Sequence, residues 1–121
     1  MSLIQTNVIP SAVILWMTSV MLVIHFTIGF MSSRGTTIPS HLGKPTAVYE
    51  IAYYLVLLLS VGVALLIPVL LYLLVHLLGG VAYVLNVTKG RDVSKYLFYY
   101  AIYEFVEAGF LLFVIYIMVR S

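Results

Sequence analysis

Five ionisable side chains lie within otherwise apolar stretches of this sequence: His25, Glu50, His76, Glu104 and Glu107. On insertion scales, an ionisable group at the centre of a bilayer costs about 2.5–3.5 kcal/mol, so such a residue usually has a partner or a function. Imidazole and carboxylate side chains can hydrogen-bond to each other, carry protons or bind cations. These residues are therefore the first candidates for chemistry in this chain.

The spacing of two of these residues predicts a direct pair. If the chain turns tightly at Gly90, His76 and Glu104 lie side by side on neighbouring helices. A hydrogen-bonded pair would satisfy both groups and fix the register of the hairpin, and we prefer this to proton transfer because one pair does not make a relay. Glu104 and Glu107 share a helix face. Because no third carboxylate or asparagine completes a site there, we predict no bound metal.

The two histidines raise the alternative of a haem with axial imidazole ligands, as in small cytochrome b subunits of respiratory enzymes. The first two helices are expected to be antiparallel, which places His25 beside residue 52 and near Glu50. That position is roughly 36 Å from His76 along a continuous helix, at ~1.5 Å per residue. One haem cannot bridge this separation within one chain, so only a haem shared between chains remains. We predict no cofactor other than bound lipid.

Three apolar segments carry these side chains, at about 8–32, 46–88 and 94–119. The chain is 64% hydrophobic and 8% charged, whereas a soluble domain has roughly 25% charged residues. We therefore predict an all-α fold, a single membrane-embedded unit over 1–121 with three hydrophobic helices, the last two forming a tight antiparallel hairpin. The first segment lacks a basic region before its apolar core, so we expect a retained helix rather than a signal peptide.

The second segment is longer than a bilayer requires. About 20 apolar residues cross the ~30 Å hydrocarbon layer, whereas the stretch Thr46–Leu78 would be about 50 Å long as a straight helix. We predict a kink at Pro68, because proline removes a backbone donor and clashes with the preceding turn. A break is also predicted at Gly79-Gly80.

Small residues that would let helices approach closely occur at Ser60, Gly62 and Ala64 in the second segment and at Ala101 and Ala108 in the third. In lipid, close packing rather than hydrophobicity drives helix association. We therefore predict packing faces at these positions, with chance occurrence in leucine-rich helices as the alternative. Glu104, which shares a helix stripe with the two alanines, is expected to be buried in such a contact.

The basic residues divide equally between the two sides of a three-helix chain. One side carries Arg34, Lys44 and Arg120, and the other carries Lys89, Arg91 and Lys95. The positive-inside rule therefore gives no orientation. The absence of cysteine excludes disulfides and thiolate chemistry, and no arrangement of nucleophile, base and oxyanion donor is visible. We predict that the chain is not an enzyme.

Two apolar helices joined by a short basic turn resemble the major pilins of conjugative mating pili and the related archaeal DNA-import pili. The resemblance covers about Thr46 to Ser121, with Lys89, Gly90, Arg91 and Lys95 in the turn. It implies a subunit that leaves the cell membrane for an extracellular filament built from copies of itself and lipid. It also implies that the basic turn lines the lumen through which DNA passes.

Two other classes fit the same sequence. One is a non-catalytic accessory subunit of a multisubunit respiratory or other membrane complex, with larger subunits as partners. The other is a small transporter or channel component, with His76, Glu104 and Glu107 along the path. A transport component should lose function when Glu104 is replaced by glutamine, whereas an accessory subunit should purify in a fixed ratio with larger partners.

Overall fold

The computed structural model describes residues 3–5, 8–87 and 94–120, and the fold is all-α as predicted. The helices are α1 (Ser11–Ser33), α2 (Ser40–Leu58), α3 (Val63–Val84) and α4 (Leu97–Arg120), and a short 3₁₀ turn (Ser94–Tyr96) precedes the last one. Three stretches, α1, α3 and Ser94–Arg120, are long and apolar enough to cross a membrane. The chain therefore has the helices of a membrane protein.

The second predicted helix is two helices rather than one. The chain leaves α2 at Leu58, turns through Leu59–Gly62 and re-enters a helix at Val63. Helix α3 then packs back along α2, so that Gly80 contacts Ala47 and Ile51. The prediction of a continuous helix over 46–88 is wrong, and the excess length of this segment is explained by a hairpin.

The turn between α2 and α3 is fixed by the N-terminal residues. The backbone N–H of Gln5 donates to the carbonyl of Ser60 at 2.5 Å, and the N–H of Gly62 donates to the carbonyl of Leu3 at 2.8 Å. These bonds satisfy backbone groups that a helix end leaves without partners. Gly62 caps α3 in an extended conformation. The short N-terminal segment therefore holds the hairpin turn in place.

The small residues of the second segment do not form a helix face. Ser60 and Gly62 are buried in the turn, and Ala64 is exposed at the start of α3. Helix α3 contains Pro68 and continues through Gly79 and Gly80, so the predicted glycine break is wrong. By contrast, Ala101 and Ala108 lie on the buried stripe of α4.

The closely packed helix pairs among the described residues are α1 with α4, α2 with α3, and α1 with α2. The predicted tight pairing of the last two helices is not confirmed, because α3 reaches α4 through long side chains such as Tyr72, whose ring lies 5.0 Å from that of Phe110. An apolar core of Ile14, Met21, Leu57 and Val69 lies between the helices. Large apolar side chains such as Ile67 and Val106 remain exposed on the outside, as lipid contact requires.

The described residues that flank the two connectors lie at the same end of the bundle. The ammonium group of Lys44 donates to the side-chain oxygen of Asn86 at 2.6 Å, which joins the start of α2 to the end of α3. Arg34 follows α1 at this end, and Lys95 lies over the ring of Tyr96, which lines one cavity together with Lys44 and Asn86. We call this the basic end. The α2–α3 hairpin reverses the chain once more than predicted. Among the described basic residues, Lys95 therefore lies on the side of Arg34 and Lys44, and Arg120 lies on the other, which differs from the predicted grouping.

The predicted lumen-facing turn lies largely outside the described residues. This applies to Lys89, Gly90 and Arg91. Of the predicted set, only Lys95 is described, on the exposed 3₁₀ turn before α4.

Candidate functional site

All four helices contribute an ionisable side chain to one place in the bundle interior. These residues, which we call the His–Glu cluster, are His25 on α1, Glu50 on α2, His76 on α3, and Glu104 and Glu107 on α4. Each of the five is less than one-tenth exposed. The α2–α3 hairpin makes this possible, because it returns His76 to the level of Glu50.

Glu107 is the centre of the cluster. Its Oε2 lies 2.8 Å from His25 Nε2 and 2.9 Å from His76 Nε2. The hydroxyl of Tyr54 donates to the same oxygen at 2.7 Å. Glu107 is fully buried, and a buried carboxylate is stable only when it is paired and hydrogen-bonded. These contacts supply that compensation.

Each histidine also contacts a second glutamate. His76 Nδ1 lies 2.8 Å from Glu50 Oε2, and His25 Nδ1 contacts Glu104 Oε2. The predicted pair of His76 with Glu104 is therefore replaced by His76 with Glu50 and Glu107, while Glu104 pairs with His25. The predicted register assumed that α3 and α4 pack as a tight hairpin, whereas α4 packs closely on α1. The sequence analysis predicted that His25 lies near Glu50, and both residues belong to the cluster.

Aromatic side chains enclose the cluster. The ring of Tyr54 stacks on His76, with centroids 5.2 Å apart, and lies 5.0 Å from the ring of Tyr53. The hydroxyl of Tyr53 lies 2.8 Å from that of Thr18. Tyrosine is suited to this position because its ring is apolar and its hydroxyl polar. These contacts restrict the rotation of the His76 imidazole.

Two buried polar atoms at the cluster have no hydrogen-bond partner among the described residues: His25 Nε2 and the hydroxyl of Tyr103. His25 Nε2 is close to Glu107 but is not aligned with it for a hydrogen bond. Buried polar atoms without partners are uncommon in proteins, and each requires an explanation such as a bound ion or water. The interior of the cluster therefore has unused capacity to bind a ligand.

A cavity of about 980 Å³ connects the cluster to the basic end. Glu50, His76 and Glu104 line its inner part, and Lys44 and Asn86 line its outer part. Hydroxyl groups from serine, threonine and tyrosine occur along the cavity, although most of its lining is apolar. A small solute entering at the basic end would therefore reach the cluster along a mostly apolar wall that carries hydroxyl groups.

The side of the cluster away from the cavity is apolar. Leu57, Val69, Leu111 and Val114 are completely buried there, and they belong to one packed core. Close-packed apolar side chains leave no polar partner for a hydrated ion. The described structure is thus open to the cluster from one end of the bundle and closed from the other.

Comparison with protein-family models, with curated proteins and with solved structures found no match to this chain. The function must therefore be argued from the chemistry of the cluster and the cavity.

The structure removes the distance argument against a haem held by both histidines, but it gives a steric argument instead. The imidazole rings of His25 and His76 lie with centroids 5.8 Å apart, so the predicted separation of roughly 36 Å along a continuous helix is wrong. A haem held by both histidines would have to lie between their coordinating nitrogens. The Glu107 carboxylate contacts both Nε2 atoms and fills that space. The arrangement fits a small ion better than a macrocycle.

Proposed function

We propose that this chain is a small integral-membrane transport component that binds a cation at the His–Glu cluster. The observation that supports it is the convergence of five ionisable side chains, from all four helices, at the inner part of a cavity. Ionisable residues within a membrane usually face the bundle interior and mark the path of an ion.

The composition of the cluster favours a cation as the ligand. Three carboxylates face two imidazoles, so even two protonated histidines would leave one negative charge in the interior. Burial of an uncompensated charge is strongly unfavourable. A bound cation would supply the missing charge, and carboxylate and imidazole groups are suitable ligands for it.

The cavity favours transport over a purely structural role. A polar network that only fixed the helix packing would need no access from outside, but Glu50, His76 and Glu104 line a cavity that reaches the basic end. Lys44 at the outer part is held by Asn86, whereas the inner part carries the carboxylates. A cation would therefore pass from the basic end, where Lys44 lines the cavity, to an inner site of opposite charge.

The other two classes have less support from the geometry. The hairpin of α2 and α3 accounts for the length of the second segment, so this length no longer favours a filament over a bilayer. A pilin with a basic lumen turn stays a prediction, and electron microscopy of sheared filaments tests it. A non-catalytic accessory subunit has no evident need for a buried cluster open to a cavity.

Transport can be tested in proteoliposomes that contain the purified full chain. Trapped indicators would report the entry of Na⁺, K⁺, Mn²⁺ and Co²⁺ in separate experiments. We expect at least one cation to enter faster than in protein-free vesicles, and this flux to fall at least tenfold in Glu50→Gln.

The matched control is Val106→Ala, which alters an exposed residue of α4 and should leave the flux unchanged. Folded protein that moves none of the four cations would overturn the proposal of a transport component.

A further inference from the structure

The proposed function requires a bound cation, and the side chains of the cluster indicate the chemical class of this cation. We infer that the His–Glu cluster binds one divalent transition-metal ion, with His25, His76 and Glu50 as its protein ligands. This inference rests on the proposed cation-binding role, and it assigns to Glu104 and Glu107 the task of orienting His25 and His76.

The donor atoms are close enough for one ion. Ligand atoms of His25, Glu50 and His76 all lie within 4.8 Å of one another. Bond lengths of about 2.0–2.2 Å are typical of Zn²⁺ with imidazole and carboxylate ligands, so two donors on one ion lie at most about 4.3 Å apart. The most distant donors must therefore approach by roughly 0.5 Å, a change within the reach of side-chain rotation.

Glu107 orients the second histidine. His76 Nε2 is hydrogen-bonded to Glu107 Oε2 at 2.9 Å, which leaves His76 Nδ1 directed toward Glu50 Oε2, 2.8 Å away. On the other ring, His25 Nε2 has no hydrogen-bond partner among the described residues. A metal ion would therefore take His25 Nε2, His76 Nδ1 and Glu50 Oε2 as protein ligands, and a water molecule from the cavity would complete a four-coordinate site.

The surroundings of His25 match those of a metal-binding histidine. Such a residue almost always donates its other ring N–H to a carboxylate or carbonyl, which fixes the tautomer and the ring orientation. His25 Nδ1 contacts Glu104, which leaves Nε2 directed toward Glu107. Similarly, Tyr54 donates to the Glu107 oxygen and holds this carboxylate in place.

Charge and ligand type narrow the choice of ion. A divalent ion would offset two of the three negative charges that the buried carboxylates of the cluster can carry, so it would bring the cluster closer to neutrality than a monovalent ion would. Mg²⁺ and Ca²⁺ prefer oxygen ligands alone, whereas imidazole suits Zn²⁺, Fe²⁺, Co²⁺ and Ni²⁺. The cavity reaches Glu50 and His76 from the basic end and gives an ion access to these ligands. A divalent transition metal is therefore the class that the residues select.

The experiment is metal binding to the purified full chain in detergent, with an affinity tag that contains no histidine. Equilibrium dialysis with Zn²⁺ should give one ion per chain, and Co²⁺ should show the intense absorption of a four-coordinate site. We expect at least a hundredfold loss of affinity in His25→Gln, His76→Gln and Glu50→Gln. Glu104→Gln should lose about 10–100-fold, as expected for a residue that orients a ligand.

The matched control is His41→Ala. His41 lies on the exposed first turn of α2, so its loss should leave the one-to-one stoichiometry and the Co²⁺ spectrum unchanged. Circular dichroism and gel filtration would establish that each variant is folded. A folded wild-type chain that binds neither ion would overturn the inference, as would binding that is lost in His41→Ala but retained in the cluster variants.

The metal site and the transport role can fail separately. Specific Co²⁺ binding without Co²⁺ entry into vesicles would support the metal site and refute transport by this chain. Entry of Na⁺ or K⁺ without binding of Zn²⁺ or Co²⁺ would support transport and refute the metal assignment.

Discussion

The imidazole rings of His25 and His76 meet edge to face in the interior of the bundle, with their centroids 5.8 Å apart. They come from α1 and α3, and Glu107 of α4 contacts a nitrogen of each ring. A single carboxylate therefore links three helices, and Tyr54 adds the fourth through its hydroxyl. The cluster combines a possible binding role with a structural one, and these roles can be separated by the choice of substitution.

Replacement of Glu107 by alanine should be the most destabilising single change in the cluster. It removes the partner of two imidazoles and a tyrosine hydroxyl in a fully buried position. Removing one member of a buried ionic pair costs about 3–5 kcal/mol. Glu107→Gln keeps the volume and part of the hydrogen bonding, so we expect a loss of about 1–3 kcal/mol. Unfolding in mixed detergent micelles measures both values.

The control for this series is Val106→Ala at the neighbouring exposed position, where we expect a change within about 0.5 kcal/mol. Equal destabilisation by the Glu107 and Val106 variants would contradict the central position of Glu107.

A disulfide can test the α2–α3 hairpin directly, because the chain contains no cysteine. A Cβ added at Gly80 would lie 3.7 Å from the Cβ of Ala47, and disulfides have Cβ–Cβ distances of about 3.5–4.5 Å. The double variant Ala47→Cys/Gly80→Cys should therefore form an intramolecular bond on mild oxidation. Mass spectrometry of proteolytic fragments would detect it.

The comparison variant Ala47→Cys/Gly79→Cys should cross-link poorly, since a Cβ at Gly79 would have no neighbour within 4 Å. In a continuous helix the two cysteines would be about 50 Å apart. Failure of the Gly80 pair in folded protein would therefore remove the hairpin on which the cluster depends.

The sequence predicted the helical class and the residues of the cluster, but it did not predict their arrangement. Helical content follows from long apolar stretches, which are local signals. The five ionisable residues were visible because charge is rare in such stretches. These residues converge only because the chain turns at Leu59–Gly62. We expected a continuous helix at this point, in which His76 would lie far from Glu50, whereas in the structure the two side chains are in contact.

A signal for this turn was present. The apolar stretch Thr46–Leu78 is too long for one crossing, and Ser60 and Gly62 near its centre are turn-forming residues. If Ser60 and Gly62 are interpreted as helix-packing residues, the segment is predicted to be one continuous helix. If they are interpreted together with the excess length of the segment, a hairpin is predicted instead. The bonds from Gln5 and to Leu3 that stabilise the turn are long-range contacts, which no local pattern shows.

A side chain at Gly43 should displace the ring of Tyr83, which extends from α3 to this point. A Cβ at Gly43 would overlap the hydroxyl of Tyr83 and lie 3.0 Å from two ring carbons. Because Tyr83 is only half-buried, its ring can move, and alanine is the better helix former. We therefore expect Gly43→Ala to destabilise the chain by at most about 1 kcal/mol. Thermal unfolding in detergent measures the loss.

Tyr83→Phe in the Gly43→Ala background should recover part of this loss, because it removes the overlapping oxygen. Gly79→Ala serves as the control, since its Cβ would meet nothing within 4 Å and alanine is the better helix former. No recovery in the double variant would mean that Tyr83 is not the residue in contact.

The distribution of charge predicts the orientation of the chain in its membrane. Among the described residues, Arg34, Lys44 and Lys95 lie at the basic end and Arg120 lies at the other. Short loops rich in lysine and arginine stay on the cytoplasmic side, so the basic end and its cavity should face the cytoplasm. Single cysteines at Thr37, near the basic end, and at Ser11, at the start of α1, would test this, since both positions are exposed.

A membrane-impermeant maleimide should label Ser11→Cys in intact cells and Thr37→Cys only after permeabilisation. The reverse pattern would place the cavity on the outer face, and the ion would then reach the cluster from outside the cell. Labelling of both positions in intact cells would contradict the arrangement in which the two connectors and the chain termini lie at opposite ends of the bundle. The orientation thus decides from which side a cation first reaches Glu50 and His76.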